Sequence, residues 1–304
     1  MSAIEVCLVR HAQSVSNAAG VWQGQGDSPL SELGVSQVEA LTESLASEEF
    51  DLAISSDLSR AAHTSRALGV EVDEDPSWRE IDVGDWEGLS MDEVVERFPE
   101  QIEALRDRKP FPIGGGESWP EVFARADAAF DQVRKQLPSG GRAIVFTHGG
   151  IIGSILAGLL DVRDAFPWPL GRMRNTGRTT LRLDGSRVDL VSHNDDSHLG
   201  SELRQSYTPR PDQVVVRLHS VDHELVPDTA DFNSAIKSAR KTGAGGVVSV
   251  SGSPAQVAAV AQEASSRVSS EFRFLEPPAG HASELLVSSD HQMLLDYAVR
   301  VPQI

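Results

Sequence analysis

An α/β fold, with a mostly parallel central sheet between two layers of helices, is predicted for the first two thirds of this chain. Three apolar runs predict it: residues 4–9, 51–56 and 142–147 each have the length and continuity of a strand buried on both faces. Helical patterns separate them, which is the alternation that parallel pairing requires. Ligands of such sheets bind beyond the carboxyl ends of the strands. Each run ends in, or leads to, arginine or histidine.

The elements follow in order. The strand at 4–9 opens into Arg10 and His11. A helix is expected over 31–46, with Leu33, Val38, Leu41 and Leu45 behind a Ser31 cap. The strand at 51–56 runs into a helix that carries Arg60. Residues 78–88 hold Glu80 among too many glycines and acids to form a core element. The stretch 90–119 contains Arg106, Arg108, Lys109 and Phe111, which either recognise a second anionic group or lie on a solvated helix end. An amphipathic helix is expected over 117–137, with Val122, Phe123, Ala126, Phe130 and Val133 on one face and Pro138 as its stop. The strand at 142–147 ends in His148-Gly149-Gly150 before a helix at 151–160. Residues 179–183 and 188–191, joined through Asp184-Gly185-Ser186-Arg187, read as a hairpin.

The character changes beyond Ser206. Residues 1–206 are read as one domain, 207–212 as a proline-stiffened linker, and 213–304 as a small α/β accessory domain. The latter alternates strands at 213–218, 246–250, 271–275 and 284–287 with helices at 229–241 and 254–268. Gly243-Ala244-Gly245-Gly246 precedes a strand and lacks a following Lys-Ser or Lys-Thr, so it reads as a helix stop and not as a phosphate loop. Oligomerisation, substrate gating and regulation are the roles open to this region.

Two arginines, two histidines and a glutamate thus converge at strand ends, and their chemistry suits a phosphoryl group. A phosphoryl group in transfer spreads charge over its equatorial oxygens, so positioned cationic donors carry most of the catalysis. Arg10 and Arg60 each offer a planar fork that can grip two oxygens, and a protonated His148 adds a third donor. His11 is the candidate nucleophile, provided that an acceptor holds its far ring N–H. Glu80 is the candidate acid and base, a role that asks for a raised pKa. Asp82, Asp85 and Glu87 compete with it on paper.

Four motifs carry a resemblance. Arg10-His11-Ala12-Gln13-Ser14-Val15-Ser16-Asn17 matches R-H-G-x-[TS]-x-x-N except for Ala12, and residues 23–34 match Q-G-x-x-D-x-P-L-[TS]-x-x-G. Ser55 to Ala61 matches S-S-D-L-x-R-A, and Thr147 to Gly150 matches T-H-G-G. Residues 3–200 thereby resemble the histidine phosphatases of the phosphoglycerate mutase-like superfamily. The resemblance implies a three-layer α/β/α phosphoglycerate mutase-like domain and a cofactor-free phosphomonoesterase acting on a small phosphorylated metabolite through phosphohistidine. It places Arg10, His11, Arg60 and His148 in the phosphate pocket, makes Glu80 the proton donor, and puts Asn17 and Gln23 against substrate or phosphate. It also makes 90–119 the region of substrate choice, and Ala12 is expected to tighten the pocket slightly. Mutases of this family carry a longer segment resembling Y-G-x-L-x-G-L-N-K after the glutamate, where this chain has Val83 to Ser90. A mutase and an inactive phosphate-binding protein are the alternatives.

Composition narrows the partners. The 304 residues carry a net charge of −18, with a pI near 4.8 and a mean hydropathy of −0.22. That excess of acid argues against nucleic acid and anionic membranes. A single cysteine, Cys7, excludes an intrachain disulfide and fits a reducing cytoplasm, and no charged region followed by an apolar run opens the chain. His193-Asn194-Asp195-Asp196-Ser197-His198 has only a superficial likeness to a metal site, so no metal and no cofactor are expected; in related bacterial phosphatases a similar N-D-x-S-H-L string ends the catalytic domain.

Overall fold

Strand β1 (Ile4–Arg10) is the axis of the molecule because both of its faces are apolar. Val6 and Leu8 enter one hydrophobic core, and Cys7 and Val9 enter a second on the opposite side. Fully burying each such Val or Leu stabilises by about 1.5–3 kcal/mol relative to exposure. This is a computed structural model, which describes residues 2–107, 109–164, 173–200, 202–204, 214–220, 247–264, 272–274, 281–287 and 292–300.

The sheet is mixed. β4 (Arg142–Thr147) pairs parallel with β1, β2 (Leu52–Ser55) parallel with β4, and β3 (Asp73–Glu74) parallel with β2. On the other side of β1, β5 (Arg178–Asp184) and then β6 (Arg187–Asp195) run antiparallel as the expected hairpin. The expectation of a mostly parallel sheet therefore holds for one half only. Parallel neighbours need crossover helices, whereas a tight turn such as 185–186 forces antiparallel pairing.

Helices cover both faces. α6 (Trp119–Gln136) and α7 (Gly149–Leu159) close the larger core with Val122, Ala126, Phe130, Ile152 and Ile155. α2 (Glu32–Leu45), capped by Ser31, closes the smaller with Leu41 and Leu45. α1 (Val15–Ala19) and α3 (Ser59–Ser65) follow strand ends, and α4 (Met91–Arg97) and α5 (Pro99–Arg106) occupy the stretch 90–119. Lys109 there is well exposed and pairs with Asp107 at 2.8 Å, while Phe111 packs toward Trp86. Arg108 and the side chain of Arg106 lie outside the described residues.

One expectation is corrected outright. Residues 78–88 form no strand and no long helix, yet Trp78, Ile81, Val83 and Trp86 are all buried in the larger core. The glycines serve close approach: Gly84 (φ +49°) and Gly114 (φ +58°) let two loop backbones touch, and a methyl group on Gly114 would lie 2.0 Å from the Val83 carbonyl. The acids stay on the outer side of this packing.

Beyond residue 213 the described elements are β7 (Val214–Ser220), β8 (Val247–Gly252), α8 (Pro254–Ala264), β9 (Phe272–Phe274), β10 (His281–Val287) and β11 (Gln292–Arg300). β7 pairs parallel with β8 and antiparallel with β10, which pairs antiparallel with β11. β9 pairs parallel with β6, and β11 meets β6 at Tyr297 and His193. β11 had no counterpart in the sequence reading. The linker at 207–212, the helix expected over 229–241 and Gly243–Gly246 lie outside the described residues. Among the described residues no helix is long and apolar enough to cross a membrane.

Candidate active site

The carboxyl ends of β1, β2 and β4 lie side by side, and the register sets Arg10 opposite Thr147. One residue further, the His11 amide donates to the Thr147 carbonyl at 2.9 Å, so the ladder itself carries His11 beside His148. The two imidazoles are buried with ring centres 5.0 Å apart.

His11 is held in one tautomer. Its Nδ1 lies 2.8 Å from the Ala12 carbonyl, which can only accept, so the proton sits on Nδ1 and the Nε2 lone pair is left for attack. Burial, then the charges of Arg60 and Arg10, hold its pKa well below the usual histidine range. Ala12 is fully buried and is not among the residues with positive φ, so its methyl group costs no backbone strain. The acceptor that the sequence reading could not name is thus the next carbonyl along the chain.

Burial, then Arg60, His11 and Arg10, hold the pKa of His148 well below the ordinary value, a shift that a phosphate dianion beside the ring would oppose. Ser56 Oγ lies 2.9 Å from its Nε2 and already accepts from the Leu58 amide. The other ring nitrogen, Nδ1, is a buried atom with no hydrogen-bond partner among the described residues. Ser56 falls within a matched motif, but its spacing gave no hint of this role.

Arg60 is almost wholly buried, and its Nη1 and Nη2 donate to the carbonyls of Gly26 (3.1 Å) and Gly24 (2.6 Å). Burial pulls its pKa down to about 10, which leaves it a cation at neutral pH. Glu87 accepts from the amides of Gly24 and Gly26, so it braces this loop and does not compete with Glu80. Arg10 donates from Nη1 to the Met173 carbonyl and from Nη2 to Asn17 Oδ1 at 3.3 Å. Asn17 Nδ2 is 3.5 Å from Gln23 Oε1, which also accepts from Ser14, and Gln23 Nε2 is a buried donor with no partner among the described residues.

Asn175 was missed by sequence reasoning. Its Nδ2 donates to the His11 carbonyl at 2.9 Å and to Asn17 Oδ1 at 3.1 Å, on a loop whose Thr176 amide donates to the Arg10 carbonyl. The 193–198 string braces that loop. Asn194 accepts from the Arg174 amide and His198 pairs with Thr176, while among the described residues no cluster of three or more His, Cys, Asp or Glu is disposed to hold a metal.

Glu80 lies at the start of α7. Its Oε1 accepts from the Ile81 amide and its Oε2 from the Gly150 amide, both at 3.0 Å. A methyl group on Gly150 would lie 2.2 Å from Glu80 Oε1, whereas one on Gly149 would meet Arg10 at an ordinary 3.6 Å. Gly150→Ala should therefore displace Glu80 and cut kcat on alkyl phosphates by about tenfold or more, with Gly149→Ala within about threefold of wild type. Steady-state kinetics of the two variants checks this; equal losses would contradict it.

The profile of the histidine phosphatase superfamily (branch 1) matches residues 6–196, more than half of the sequence and all of the site just described. The chain belongs to that superfamily. This histidine phosphatase is 36% identical over 205 residues to a metal-independent phosphoserine phosphatase of Arabidopsis thaliana, a match covering 65% of this chain and 84% of the relative. It is 30% identical over 202 residues to phosphoserine phosphatase 1 of Hydrogenobacter thermophilus, covering 65% of this chain and 95% of the relative. A mycobacterial glucosyl-3-phosphoglycerate phosphatase, solved with VO3, superposes with a TM-score of 0.53 at 33% identity and covers 58% of this chain and 92% of the other.

The buried histidines also tie stability to pH. Burial pulls His193 down to about 3 and His198 down to about 4, so the unfolded chain, titrating near 6.5, binds their protons first. Stability is then complete above about pH 6.5 and falls as pH drops toward the folded values, by about 2 kcal/mol for His193 alone at pH 5. Thermal unfolding followed from pH 7.5 to 5 should show a falling midpoint; a flat profile would contradict the neutral, buried assignment.

Proposed function

We propose that this chain is a phosphomonoesterase that hydrolyses a small phosphorylated metabolite through a phosphohistidine at His11. The observation that carries the reading is the fixed tautomer of His11 beside two arginine side chains, one of them almost wholly buried. His11 Nε2 attacks phosphorus and a P–N bond forms as the P–O bond to the leaving group breaks. Glu80 gives its proton to the departing oxygen. It then takes one from the water that attacks phosphohistidine, which releases inorganic phosphate and restores both residues. Arg10, Arg60 and His148 stabilise the equatorial oxygens, and Gln23 and Asn17 complete the donor set.

The named relatives act on phosphoserine or on glucosyl-3-phosphoglycerate, both phosphate monoesters of small carboxylic acids. We take that class as the first to test. Phosphate release is measured from these two compounds, sugar phosphates, nucleotides and an aryl phosphate, with EDTA present, for wild type and His11→Ala. Release that needs His11 supports the reading. Transfer of the phosphoryl group to a second position of the substrate without net release would favour a mutase, and silence across the panel would favour a binding protein. Residues 213–304 are read as an accessory region of a cytoplasmic enzyme, with self-association tested by sedimentation of the full chain across concentrations.

A further inference from the structure

We propose that Arg125 is a positioning residue for the proton-transfer step, fixing the irregular backbone that carries Glu80; the inference rests on the reading of Glu80 as acid and base. Arg125 lies on α6, where its spacing alone would make it a solvated charge. Its guanidinium has five N–H groups, and each finds an acceptor. Nε and Nη2 donate to Glu117 Oε1 (2.9 Å) and Oε2 (2.7 Å), Nη1 to the carbonyls of Ser77 (3.0 Å) and Arg79 (2.7 Å), and Nη2 also to the Glu80 carbonyl (3.3 Å).

Glu117 completes the clamp from its other side. Its Oε2 accepts from the Asp82 amide at 2.9 Å, and its own amide donates to the Asp82 carbonyl at 2.8 Å. Residues 79–83 belong to no strand or helix, so their carbonyls lack ladder partners and depend on side chains and loop amides for their hydrogen bonds. Arg125 donates on both sides of the Glu80 Cα, to the Arg79 carbonyl before it and to the Glu80 carbonyl after it, the latter shared with Gln25 Nε2 at 3.2 Å. With the main chain fixed, the carboxylate reaches the Gly150 amide across a gap that tolerates no added methyl group.

Lysine cannot replace it. A point ammonium with three donors keeps the charge near Glu117 but cannot span three carbonyls and two carboxylate oxygens in one plane. Arg125 does not contact the reacting phosphoryl group in this arrangement; it acts through Glu80. Its effect should therefore appear where the acid is needed. An alkyl leaving group needs protonation, and an activated phenolate does not.

The test compares wild type, Arg125→Lys, Glu80→Gln and the double variant on phosphoserine and p-nitrophenyl phosphate. Arg125→Lys is expected to lower kcat on phosphoserine by about tenfold or more with little change in KM, to cost less than about threefold on the aryl ester, and to add no further loss in the Glu80→Gln background. Equal losses on both substrates, or a full further loss in the Glu80→Gln background, would overturn the proposal and leave Arg125 a stability residue. Should Arg125→Lys fail to fold, Glu117→Gln, which weakens the clamp but keeps its shape, must show the same substrate selectivity in smaller degree. Glu80→Gln losses that are equal on both substrates would instead overturn the reading of Glu80 on which the proposal stands.

Discussion

Replacing His11 by alanine lowers kcat by a factor on the order of a thousand or more while the protein stays folded. The size follows from what the variant loses. No other described side chain combines a buried, neutral ring, an Nδ1 fixed on a carbonyl and a position beside two arginines. His148 is close, but its Nε2 is engaged by Ser56 Oγ at 2.9 Å and its Nδ1 rests on no carbonyl among the described residues, so nothing holds it for attack as His11 is held. Residual turnover would come from the remaining donors acting on water. Circular dichroism and thermal unfolding establish that the variant is folded; a loss below about tenfold would show that phosphoryl transfer bypasses His11.

Replacing Arg60 by lysine cuts kcat/KM by about a hundredfold to a thousandfold, although it keeps the charge. Two of the N–H groups of Arg60 are committed to the carbonyls of Gly24 and Gly26, while its Nε is a buried donor with no partner among the described residues, which the proposed mechanism assigns to phosphate. An ammonium that serves one task abandons the other. The loop at 24–26, next to Gln23, would then lose both carbonyl anchors and keep only Glu87 and the Gln25 side chain among its ties in the described residues. Kinetics on an aryl phosphate, where leaving-group protonation is unimportant, isolates this effect from Glu80. A loss within about threefold would mean that charge, not geometry, is what Arg60 supplies.

Much of this was legible in the chain. Each of the runs 4–9, 51–56 and 142–147 falls within a residue or two of its strand, because continuous apolar sequence bounded by charge admits few other readings. His11 and His148 meet because β1 and β4 are parallel neighbours, a pairing that the fold class implies. Legibility failed where one residue serves two elements at once. Residues 78–88 look too polar for a core, yet their aromatic and branched side chains point inward while their acids tie loops together. Asn175 stands in a loop without a motif, and Arg125 on a helix face has no pattern that separates it from a solvated charge. Such residues act on backbone groups, and backbone groups leave no mark in a sequence.

Protonation was the other blind spot. The sequence reading weighed only the anion beside His148, whereas burial and Arg60 pull its pKa down and Ser56 Oγ engages its Nε2. A string of residues shows which groups titrate, whereas only packing shows how much water they keep.

The most direct test is to trap the covalent intermediate. Enzyme mixed with a turning-over phosphate ester is quenched in alkali, which preserves phosphohistidine, and the peptide spanning Val9 to Ala12 is examined by mass spectrometry. The account predicts one phosphoryl group on His11 at Nε2, absent from His11→Ala. Steady turnover with no phosphoryl group on any histidine would contradict it.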